Sequence, residues 1–553
     1  MISHLERYAQ VAETLGRHGL GFVFGQSGLH RRAPRLGTPD GHEGHTRPAH
    51  LRLALEELGP VFIKLGQALS TRPDLLSSAY RDELSLLQDQ APPVPAAAVA
   101  ETLERELGGR PEEVFASFDP VPLASASLGQ AHAATLADGT EVVVKVRKPG
   151  IVEQVDLDLE IIANLAARAV QHWDAAADYD LAGIADEFST TLRTELDYLA
   201  EARNAERIGA SFASDRGMHI PRVYWETTTS RVLTLERIRG IKVSDLDALD
   251  AAGIDRRALA SRSAQSVAKM VFEDGFFHAD PHAGNLFIEP DASISGGRIG
   301  LIDFGMVGRI GRELRDTLAE LLIALSRRDS RAAARAVADM SAGRGRADLV
   351  RLGADLALVT RLYQDRPLAE VPIGAVVREL TAAVRRNRLQ LPRELALLLR
   401  MLVMAEGMGA TLDPGFQFAA VIGPYAEALA YERFTPPAVA RRLAHAGGEL
   451  LDAAARIPRQ LHAIEDALER GGPELTLRPE DLDRLTVHLD AAAQRIVAAT
   501  LASAFIRGIG EIVAAEPQGR AQALRRALVS AGFASAATLA AYLAWTGRHR
   551  RRP

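Results

Sequence analysis

Apolar residues recur at helical spacing along most of this chain. Between residues 51 and 70 six apolar positions, spaced three or four residues apart, fall on one face of a helix, and the pattern continues to about residue 110. The same period returns over residues 151–210, from 241 to about 275, and from 311 to about 490. The sequence therefore predicts a mainly helical protein in which strands occupy short stretches.

Strand patterns occur in three places. Residues 114–147 alternate and are rich in valine, which predicts two or three antiparallel strands with Asp138-Gly139 as a hairpin turn. Residues 231–236 predict one more strand, which runs into a turn. Two short apolar runs, LFIE and IGLID, flank a glycine-rich turn between residues 286 and 303 and predict a second hairpin. The predicted fold class is therefore α+β.

Composition narrows the class of protein. The chain has 553 residues, of which 47% are hydrophobic and 25% charged, as in ordinary globular proteins. A net charge of −6 gives no indication of nucleic-acid binding. The absence of cysteine excludes disulfides, thiolate zinc sites, iron–sulfur clusters and cysteine nucleophiles. Only five lysines accompany 60 arginines, as in proteins from GC-rich bacterial genomes, so each lysine is conspicuous.

The two termini differ in character. The first 20 residues carry charges every few positions, which predicts an amphipathic helix and no signal peptide. Residues 527–547 are uncharged and precede the basic tail RHRRR, and the segment from 496 carries Arg507 and Glu511. The two segments could form a transmembrane hairpin or a soluble helix pair. If the last helix spans a membrane, its basic tail is expected on the cytoplasmic side.

The residues most indicative of chemistry lie between 278 and 305. HADPHAGN places Asn285 five residues after Asp280, and LIDFG places Asp303 at the end of a strand. Kinase-type phosphoryl transfer uses one Asp near the transferred phosphate, with an Asn and a second Asp as Mg²⁺ ligands. Both the spacing and the DFG triplet match the protein-kinase catalytic motifs.

Lys145 is the one lysine of the apolar strand VVVKV, where an unpaired ammonium would be costly. In kinases a lysine on this strand holds nucleotide phosphates and pairs with a helical Glu. The preceding loop reads ASASLGQAH (124–132) rather than G-x-G-x-x-G, so it is less free to take positive φ angles. Nucleotide binding is still expected, with altered loop geometry.

An acidic helix follows about 50 residues later. In TELDYLAEARNAER, Asp197 and Glu201 are i,i+4 neighbours and Glu195 lies on an adjacent face. Each could belong to the site or to a solvated surface, and which of Glu195 or Glu201 pairs with Lys145 stays open. Lys64, in the apolar helix VFIKLGQALS, could be a snorkelling surface lysine, and Gln67 shares its face.

These motifs together resemble the ABC1/ADCK/UbiB family of atypical kinase-like proteins. The matching pieces occur in family order over residues 50–310: KLGQ from Lys64 to Gln67, the Ala-rich loop, VVVKV, Glu195-Leu-Asp197, the hinge Thr234-Leu235-Glu236, HADPHAGN and DFG. Departures are small, since the loop reads ASAS instead of a triple Ala and Ala283 replaces a usual proline. Neither change removes a charged group.

The resemblance implies a bilobal protein-kinase-like fold, with a small antiparallel sheet lobe, a large helical lobe, an N-terminal helical extension and a C-terminal helix pair. The expected boundaries are 1–110 for the extension, 111–245 for the N-lobe with inserted helices, 246–490 for the C-lobe and 491–553 for the C-terminal pair. The KxGQ helix is expected to cover the active site, with Lys64 pointing toward the nucleotide site.

The resemblance also implies ATP and Mg²⁺ as cofactors, weak protein-kinase activity and a role in ubiquinone biosynthesis at a membrane. It assigns catalytic roles to Asp280, Lys145, Lys64, Glu195, Asp197 and Glu201. It assigns nucleotide contacts to Ala124, Ser125, Ala126, Ser127, Gly129, Gln130, Lys145, Leu235, Glu236 and Gln67, and metal binding to Asn285 and Asp303. Partners implied are a membrane lipid or prenylated phenolic quinone precursor and quinone-biosynthesis proteins.

The residues add one argument of their own. A helix is predicted to begin near 311–314, so little chain separates it from Gly305, and no A-P-E sequence follows. A peptide-binding activation segment takes tens of residues, which makes a protein substrate improbable. Three functions could use such a site: an ATPase or small-molecule kinase at the membrane, a nucleotide-binding regulator or scaffold, and an aminoglycoside-type phosphotransferase. The third leaves Lys64, Gln67 and the Glu195-x-Asp197 pair unexplained.

Overall fold

A computed structural model of the chain describes residues 4–18 and 47–432, apart from residues 71, 73–74, 88–91, 173–180, 328, 342–347, 363–371, 388 and 390. The predicted C-terminal pair over 491–553, with its candidate membrane span, lies outside the described residues. Within them the chain is α+β, with a small antiparallel sheet and a large helical part, as predicted.

Helices precede the sheet. They are α1 (His4–Arg17), α2 (Arg47–Leu58), α3 (Pro60–Ser70), α4 (Ser78–Leu84), α5 (Ala96–Leu107) and α6 (Pro111–Val114). The apolar run of 51–70 divides into α2 and α3, because Gly59 takes a φ of +96° and Pro60 follows it. A left-handed residue followed by proline is a common way to end one helix and begin another.

The first sheet has the order β1-β2-β3-β5 and is antiparallel throughout. Its strands are β1 (Ser117–Ser125), β2 (Gly129–Thr135), β3 (Glu141–Arg147) and β5 (Val232–Glu236). The turn between β2 and β3 lies at Asp138-Gly139 as predicted, with Gly139 at φ +85° and the Asp138 carboxylate accepting from the Thr140 amide. Strand β3 is central, so Lys145 lies between two neighbouring strands and opposite Leu233.

Three long helices are inserted between β3 and β5. They are α7 (Ile151–His172), α8 (Leu181–Glu195) and α9 (Tyr198–Ser211), followed by the short strand β4 (Met218–His219). The apolar faces of α7 and α8 pack with those of α1 to α4 in one core. A buried ion pair between Arg7 and Asp158, at 2.7 Å, fastens α1 to α7. Helices α1 to α4, α7 and α8 thus share a core distinct from that of the sheet and α5, whereas α9 packs in the core of the helical part.

The rest of the described chain forms the helical part. Its elements are β6 (Ile241–Lys242), α10 (Leu246–Ala251), α11 (Arg256–Ala268), a π-helical turn (Lys269–Asp274), β7 (Phe276–His278), β8 (Leu286–Glu289), β9 (Arg298–Leu301), β10 (Val307–Arg309), α12 (Arg312–Ser326), α13 (Ser330–Met340), α14 (Leu349–Leu362), α15 (Ile373–Arg386), α16 (Arg393–Leu412) and α17 (Phe418–Glu432). Strands β8 and β9 form the predicted hairpin, whose turn holds Gly296 and Gly297 at positive φ.

One helix of the described residues, α16, is long and apolar enough to cross a membrane. Half of this stretch is buried inside the protein, where Leu395, Leu398 and Met401 belong to the core of the helical part. Such burial is the property of a core helix, so α16 is weak evidence for a membrane span.

Candidate active site

The ammonium of Lys145 is held between two carboxylates. Its Nζ lies 2.5 Å from Glu201 Oε1 on α9 and 3.9 Å from Asp303 Oδ1, which follows β9. Burial alone would lower the pKa of Lys145, but the charges of Asp303 and Glu201 outweigh it and raise the pKa above its ordinary value. Burial would raise the pKa of Asp303, yet the Lys145 charge holds that pKa well below its usual range. Both groups are therefore charged at neutral pH.

The backbone around Asp303 is fixed by two side chains of α9. Glu201 Oε1 also accepts from the Phe304 amide at 3.3 Å, and Asn204 Nδ2 donates to the Phe304 carbonyl at 3.0 Å. The Gly305 amide donates to Asp303 Oδ1 at 2.9 Å, which orients the carboxylate. The Phe304 ring is fully buried. The Asp303 carboxylate thus faces the site from an anchored turn.

His278 connects the two aspartates of the site. Its Nε2 donates to the Asp303 carbonyl, and its Nδ1 accepts from the Asp280 amide at 3.2 Å. This arrangement needs a neutral ring, and burial lowers the pKa of His278 accordingly. Asn285 Nδ2 donates to the Asp280 carbonyl at 3.3 Å, which closes the loop between them. The strand pairing of β7 with β10 brings His278 opposite Val307 and holds this loop beside the DFG turn.

Arg400 is a site residue that the sequence reasoning missed. Its Nη2 donates to Asp280 Oδ1 at 2.9 Å from the middle of α16. Both side chains are about one quarter exposed. No spacing rule connects positions 120 residues apart, and an arginine among 60 carries no signal of its own.

The second isolated lysine has its own partner. Lys64 Nζ on α3 lies 3.1 Å from Glu195 Oε2 at the end of α8. The question left open by the sequence is therefore answered by two separate pairs, Lys64 with Glu195 and Lys145 with Glu201. The charge of Lys64 also contributes to the lowered pKa of Asp303.

The rest of the KLGQ segment is fitted to its neighbours. Gln67 Nε2 donates to the Leu87 carbonyl at 3.1 Å, so its amide holds the chain that follows α4. A Cβ at Gly66 would lie 2.3 Å from Leu87 Cδ1 and 2.8 Å from Leu55 Cδ1. Glycine is therefore required for the close approach of α3 to these two leucines.

Asp197 does not lie where the sequence placed it. One helix was expected to carry Glu195, Asp197 and Glu201, but the chain breaks at Leu196 between α8 and α9. Asp197 caps α9 by accepting from the Leu199 amide at 3.1 Å, and it lies 3.6 Å from Arg203. The i,i+4 relation to Glu201 is therefore wrong, and the observed contacts of Asp197 are those of an N-cap.

The end of β1 and the turn that follows it contribute small residues to the site. Ala124, Ser125 and Ala126 line the cavity beside Asp303, and the Ala126 amide donates to the Gly129 carbonyl at 2.9 Å. A Cβ at Gly129 would lie 2.1 Å from Tyr198 Oη, so this glycine makes room for the buried tyrosine.

The side chain of Gln130 makes its contacts within the small lobe. Gln130 Oε1 accepts from the Val94 amide at 2.9 Å, and its Nε2 donates to His132 Nε2 at 2.8 Å. The His132 Nδ1 donates to the Asp119 carbonyl, also at 2.8 Å. Both Gln130 and Ser127 are buried and are not among the residues that line the cavity, and their nucleotide contact stays a prediction.

The predicted hinge residues lie at the end of β5. Leu235 is buried, and the Glu236 carboxylate lies 3.3 Å from His219 Nε2. The other ring nitrogen of His219, Nδ1, is 2.7 Å from Glu289 Oε2 on β8. His219 therefore joins the end of β5 to β8, the strand that follows the loop from Asp280 to Asn285.

A cavity of about 870 Å³ connects these groups. Its lining includes the acidic and basic residues Lys64, Arg72, Glu187, Glu195, Asp280, Asp303, Arg393 and Arg400, together with His282. In the part of the chain that the structure describes, no cluster of three or more His, Cys, Asp or Glu residues could hold a metal alone. Mg²⁺ that arrives with a nucleotide does not require such a cluster, because it is usually bound by one or two protein oxygens together with phosphates.

Comparison with known families finds two matches along the chain. The profile of the ABC1 atypical kinase-like domain matches residues 86–337, and that of the UbiB helical domain matches residues 357–417. Arg400 thus lies within the second matched segment.

Similar proteins extend over nearly the whole chain. A Xanthomonas oryzae pv. oryzae protein named "Probable protein kinase UbiB" is 36% identical over 506 residues, covering 90% of this chain and 91% of that protein. A Xylella fastidiosa protein of the same name is 36% identical over 478 residues, covering 86% of each. Among solved structures, the Mycobacterium tuberculosis protein Rv3197 in complex with erythromycin is 26% identical. That match covers 66% of this chain and 92% of the other, with a TM-score of 0.46.

Proposed function

This chain belongs to the ABC1 atypical kinase-like family, in its UbiB group, and we propose that it is an ATP- and Mg²⁺-dependent enzyme of isoprenoid-quinone biosynthesis. The reaction proposed is ATP hydrolysis, or phosphoryl transfer to a small molecule or lipid, at the cytoplasmic face of the bacterial inner membrane. The observation that carries the proposal is the Lys145–Glu201–Asp303 arrangement, whose Asp303 lines the same cavity as Asp280.

The charges of the site suit a bound triphosphate. Lys145 is cationic and is held by Glu201, so it can contact phosphate oxygens from a fixed position. Asp303 is anionic, and its carboxylate is oriented by the Gly305 amide. Asn285 is oriented by the hydrogen bond that its Nδ2 donates, which leaves Oδ1 available. These oxygens are suitable ligands for Mg²⁺. A Mg²⁺ ion bound there would neutralise charge that develops on the transferred phosphoryl group.

Asp280 is proposed to orient the acceptor, either water or a hydroxyl group. Arg400 holds the Asp280 carboxylate through Oδ1, and its guanidinium adds positive charge to this end of the cavity. Lys64, paired with Glu195, is a second cation that lines the same cavity. Both cations could stabilise negative charge on a transferred phosphoryl group.

A folded protein substrate is not part of the proposal. Between Gly305 and the start of α12 at Arg312 the chain forms only β10 and a short turn. The peptide-binding segment of a protein kinase is much longer. The KLGQ helix α3 also forms one wall of the cavity, where it would obstruct a large substrate.

A second candidate function is a nucleotide-binding regulator or scaffold of a membrane biosynthetic complex. The alanine-containing loop 124–126 and the Lys64–Glu195 pair support it, because both limit movement around the phosphates. In that case ATP would stabilise one conformation without being turned over.

The test is phosphate release from Mg-ATP by the full chain. The comparison includes wild type, Asp303→Asn and Lys64→Arg. Each protein is measured without additions, then with anionic liposomes, and then with a phenolic quinone-precursor mimic. Lys269→Arg is the matched lysine control, because Lys269 pairs with Asp274 in the helical part. Turnover that needs Asp303 and rises with lipid or phenol supports the enzyme, whereas nucleotide binding without turnover in every condition supports the regulator.

A further inference from the structure

Three helices that line the cavity each carry two charged residues about two turns apart. Both charged side chains of every helix line the cavity, so each helix turns one face along it. Helical residues seven or eight positions apart are separated by roughly 11–12 Å along the axis. The pairs are Lys64 and Arg72 on α3 and the chain just after it, Glu187 and Glu195 on α8, and Arg393 and Arg400 on α16.

One residue of each pair lies near the two aspartates of the site. Lys64 Nζ is 3.1 Å from Glu195 Oε2, and Arg400 Nη2 is 2.9 Å from Asp280 Oδ1. The charge of Lys64 also acts on the Asp303 carboxylate, which lines the same cavity. We call this group of residues the Asp280 end of the cavity.

The other residue of each pair belongs to a second charged group, called here the Glu187 end. The carboxylate of Glu187 lies 3.6 Å from Arg72 Nη1 and 3.5 Å from Arg393 Nε. Helices α3, α8 and α16 each contribute one charge to this group and one to the Asp280 end, so all three extend lengthwise between the two. The two ends are therefore about 12 Å apart.

Between the two ends the same helix faces carry apolar side chains. This apolar stretch is lined by Leu65, Leu69, Phe188, Leu192, Ala396 and Leu397. Hydrocarbon side chains neither ionise nor form hydrogen bonds, so the stretch favours hydrocarbon over phosphate or sugar. A ligand that lies along it must be polar where it meets Asp280 and apolar beyond that point.

We propose that the cavity binds a single-chain amphiphile as its second ligand, with a hydroxyl group at Asp280 and an apolar chain along the apolar stretch. The distance to the Glu187 end sets the length of chain that contributes to binding, because further methylenes would meet charged groups. The inference deepens the proposed function by naming the class of acceptor, and it rests on that function in taking Asp280 as the residue that orients a hydroxyl group.

The length limit is tested with 1-alkanols from butanol to dodecanol, whose binding to the full chain is measured by isothermal titration calorimetry without nucleotide. Each added methylene should raise the affinity roughly two- to fourfold while it enters the apolar stretch. The gain should stop at about nine or ten carbons, the length of chain that spans roughly 12 Å. The methyl ether of octanol should bind about tenfold more weakly than octanol, because it has no proton to donate to Asp280.

Two substitutions in the apolar stretch test its location. Leu69→Asn introduces an amide near the Glu187 end, so it should weaken decanol binding about tenfold and butanol binding less than about twofold. Thr191→Val keeps the shape of a side chain that lines the cavity and removes its hydroxyl, so it should strengthen decanol binding roughly twofold or more. Leu358→Asn is the matched control, because Leu358 on α14 is 56% exposed and is not among the residues that line the cavity.

Affinity that keeps rising through dodecanol would overturn the length limit, and equal binding of octanol and its methyl ether would overturn the position of the hydroxyl group. Equal decanol binding by Leu69→Asn and Leu358→Asn would overturn the location. If Leu69→Asn does not fold, Thr191→Val decides, and an unchanged affinity for decanol in that variant would contradict the proposal. Mg-ATP turnover is measured on the same proteins. Turnover without alkanol binding would overturn this inference alone, whereas alkanol binding without turnover would overturn only the proposed enzymatic activity.

Discussion

Arg400 donates from Nη2 to Asp280 Oδ1 at 2.9 Å, although 120 residues separate the two. The pair joins α16 to the loop from Asp280 to Asn285, on which phosphoryl transfer would depend. We predict that Arg400→Met lowers turnover of Mg-ATP roughly tenfold, the scale of one lost charge-assisted contact in the transition state. Nucleotide affinity should change less than about threefold, because Lys145 is untouched. Steady-state kinetics and equilibrium binding measure the two quantities.

The control for this substitution is Arg386→Met, which removes an arginine that pairs with Asp355 on the neighbouring helix. It should leave turnover unchanged. A rise in turnover on Arg400→Met would mean that the arginine restrains Asp280 rather than positioning it.

Lys145→Met should destabilise the folded protein as well as weaken nucleotide binding. It would leave the Glu201 carboxylate, 8% exposed, buried without its cation, at a cost of about 3 kcal/mol. Replacing both residues, as Lys145→Met with Glu201→Leu, should recover more than half of that loss. Urea unfolding of the single and double variants gives the free energies.

Lys269→Met serves as the comparison, since Lys269 is 28% exposed and pairs at the surface of the helical part. Its cost should stay near 1 kcal/mol or below. If the double variant is no more stable than Lys145→Met, the unpaired Glu201 carboxylate does not explain the loss of stability.

Gly129→Ala should lower stability through a single steric contact. The added Cβ would lie 2.1 Å from Tyr198 Oη and 3.0 Å from the Val146 carbonyl, and strain of this kind costs roughly 1–3 kcal/mol. Tyr198→Phe removes the hydroxyl, so Gly129→Ala should cost less in that background. Thermal unfolding of the four proteins in the cycle measures the coupling.

Gly311→Ala is the matched glycine control, because a Cβ there meets nothing within 4 Å. Because Gly311 is the N-cap of α12 and alanine is a poorer cap, the change should cost about 1 kcal/mol or less, equally with and without Tyr198→Phe. Additive effects of Gly129→Ala and Tyr198→Phe would show that the hydroxyl is not the obstacle.

His219 should make stability depend on pH. Hydrogen bonds to Glu236 raise the pKa of His219 against the effect of burial, and those to Glu289 add to the increase. Arg298 Nη1 lies 3.6 Å from Glu289 Oε2, so its positive charge acts on His219 through the carboxylate that both residues contact. A raised pKa means that charged His219 stabilises the fold fully below its ordinary pKa near 6.5 and that this contribution is lost as pH rises through the raised value.

We therefore expect wild type to exceed His219→Gln in free energy of unfolding by roughly 1–2 kcal/mol at pH 5.5, with the difference shrinking by pH 9. Urea unfolding across this range measures it. His4→Gln is the control, since His4 and Glu160 are both more than half exposed and their pair should contribute little. A difference that does not vary with pH would show that His219 acts by packing alone.

The sequence by itself determined the fold class and the linear positions of the chemistry. Periods of 3.6 and 2 locate the helices and hairpins, because side chains must face a core. The spacing from Asp280 to Asn285 and the Asp303-Phe-Gly triplet can be read without coordinates, because each motif lies within one short loop. The isolation of Lys64 and Lys145 is equally visible, since a lysine in an apolar run needs a partner.

Only the tertiary structure decided which charged side chains contact one another. A break at Leu196 turns Glu195 toward Lys64 and Glu201 toward Lys145, and it makes Asp197 an N-cap. Arg400 contacts Asp280 because α16 packs into the helical part beside the Asp280 loop. Local periodicity cannot predict these contacts, because they depend on where separate elements meet and on the burial that selects one ion pair over another.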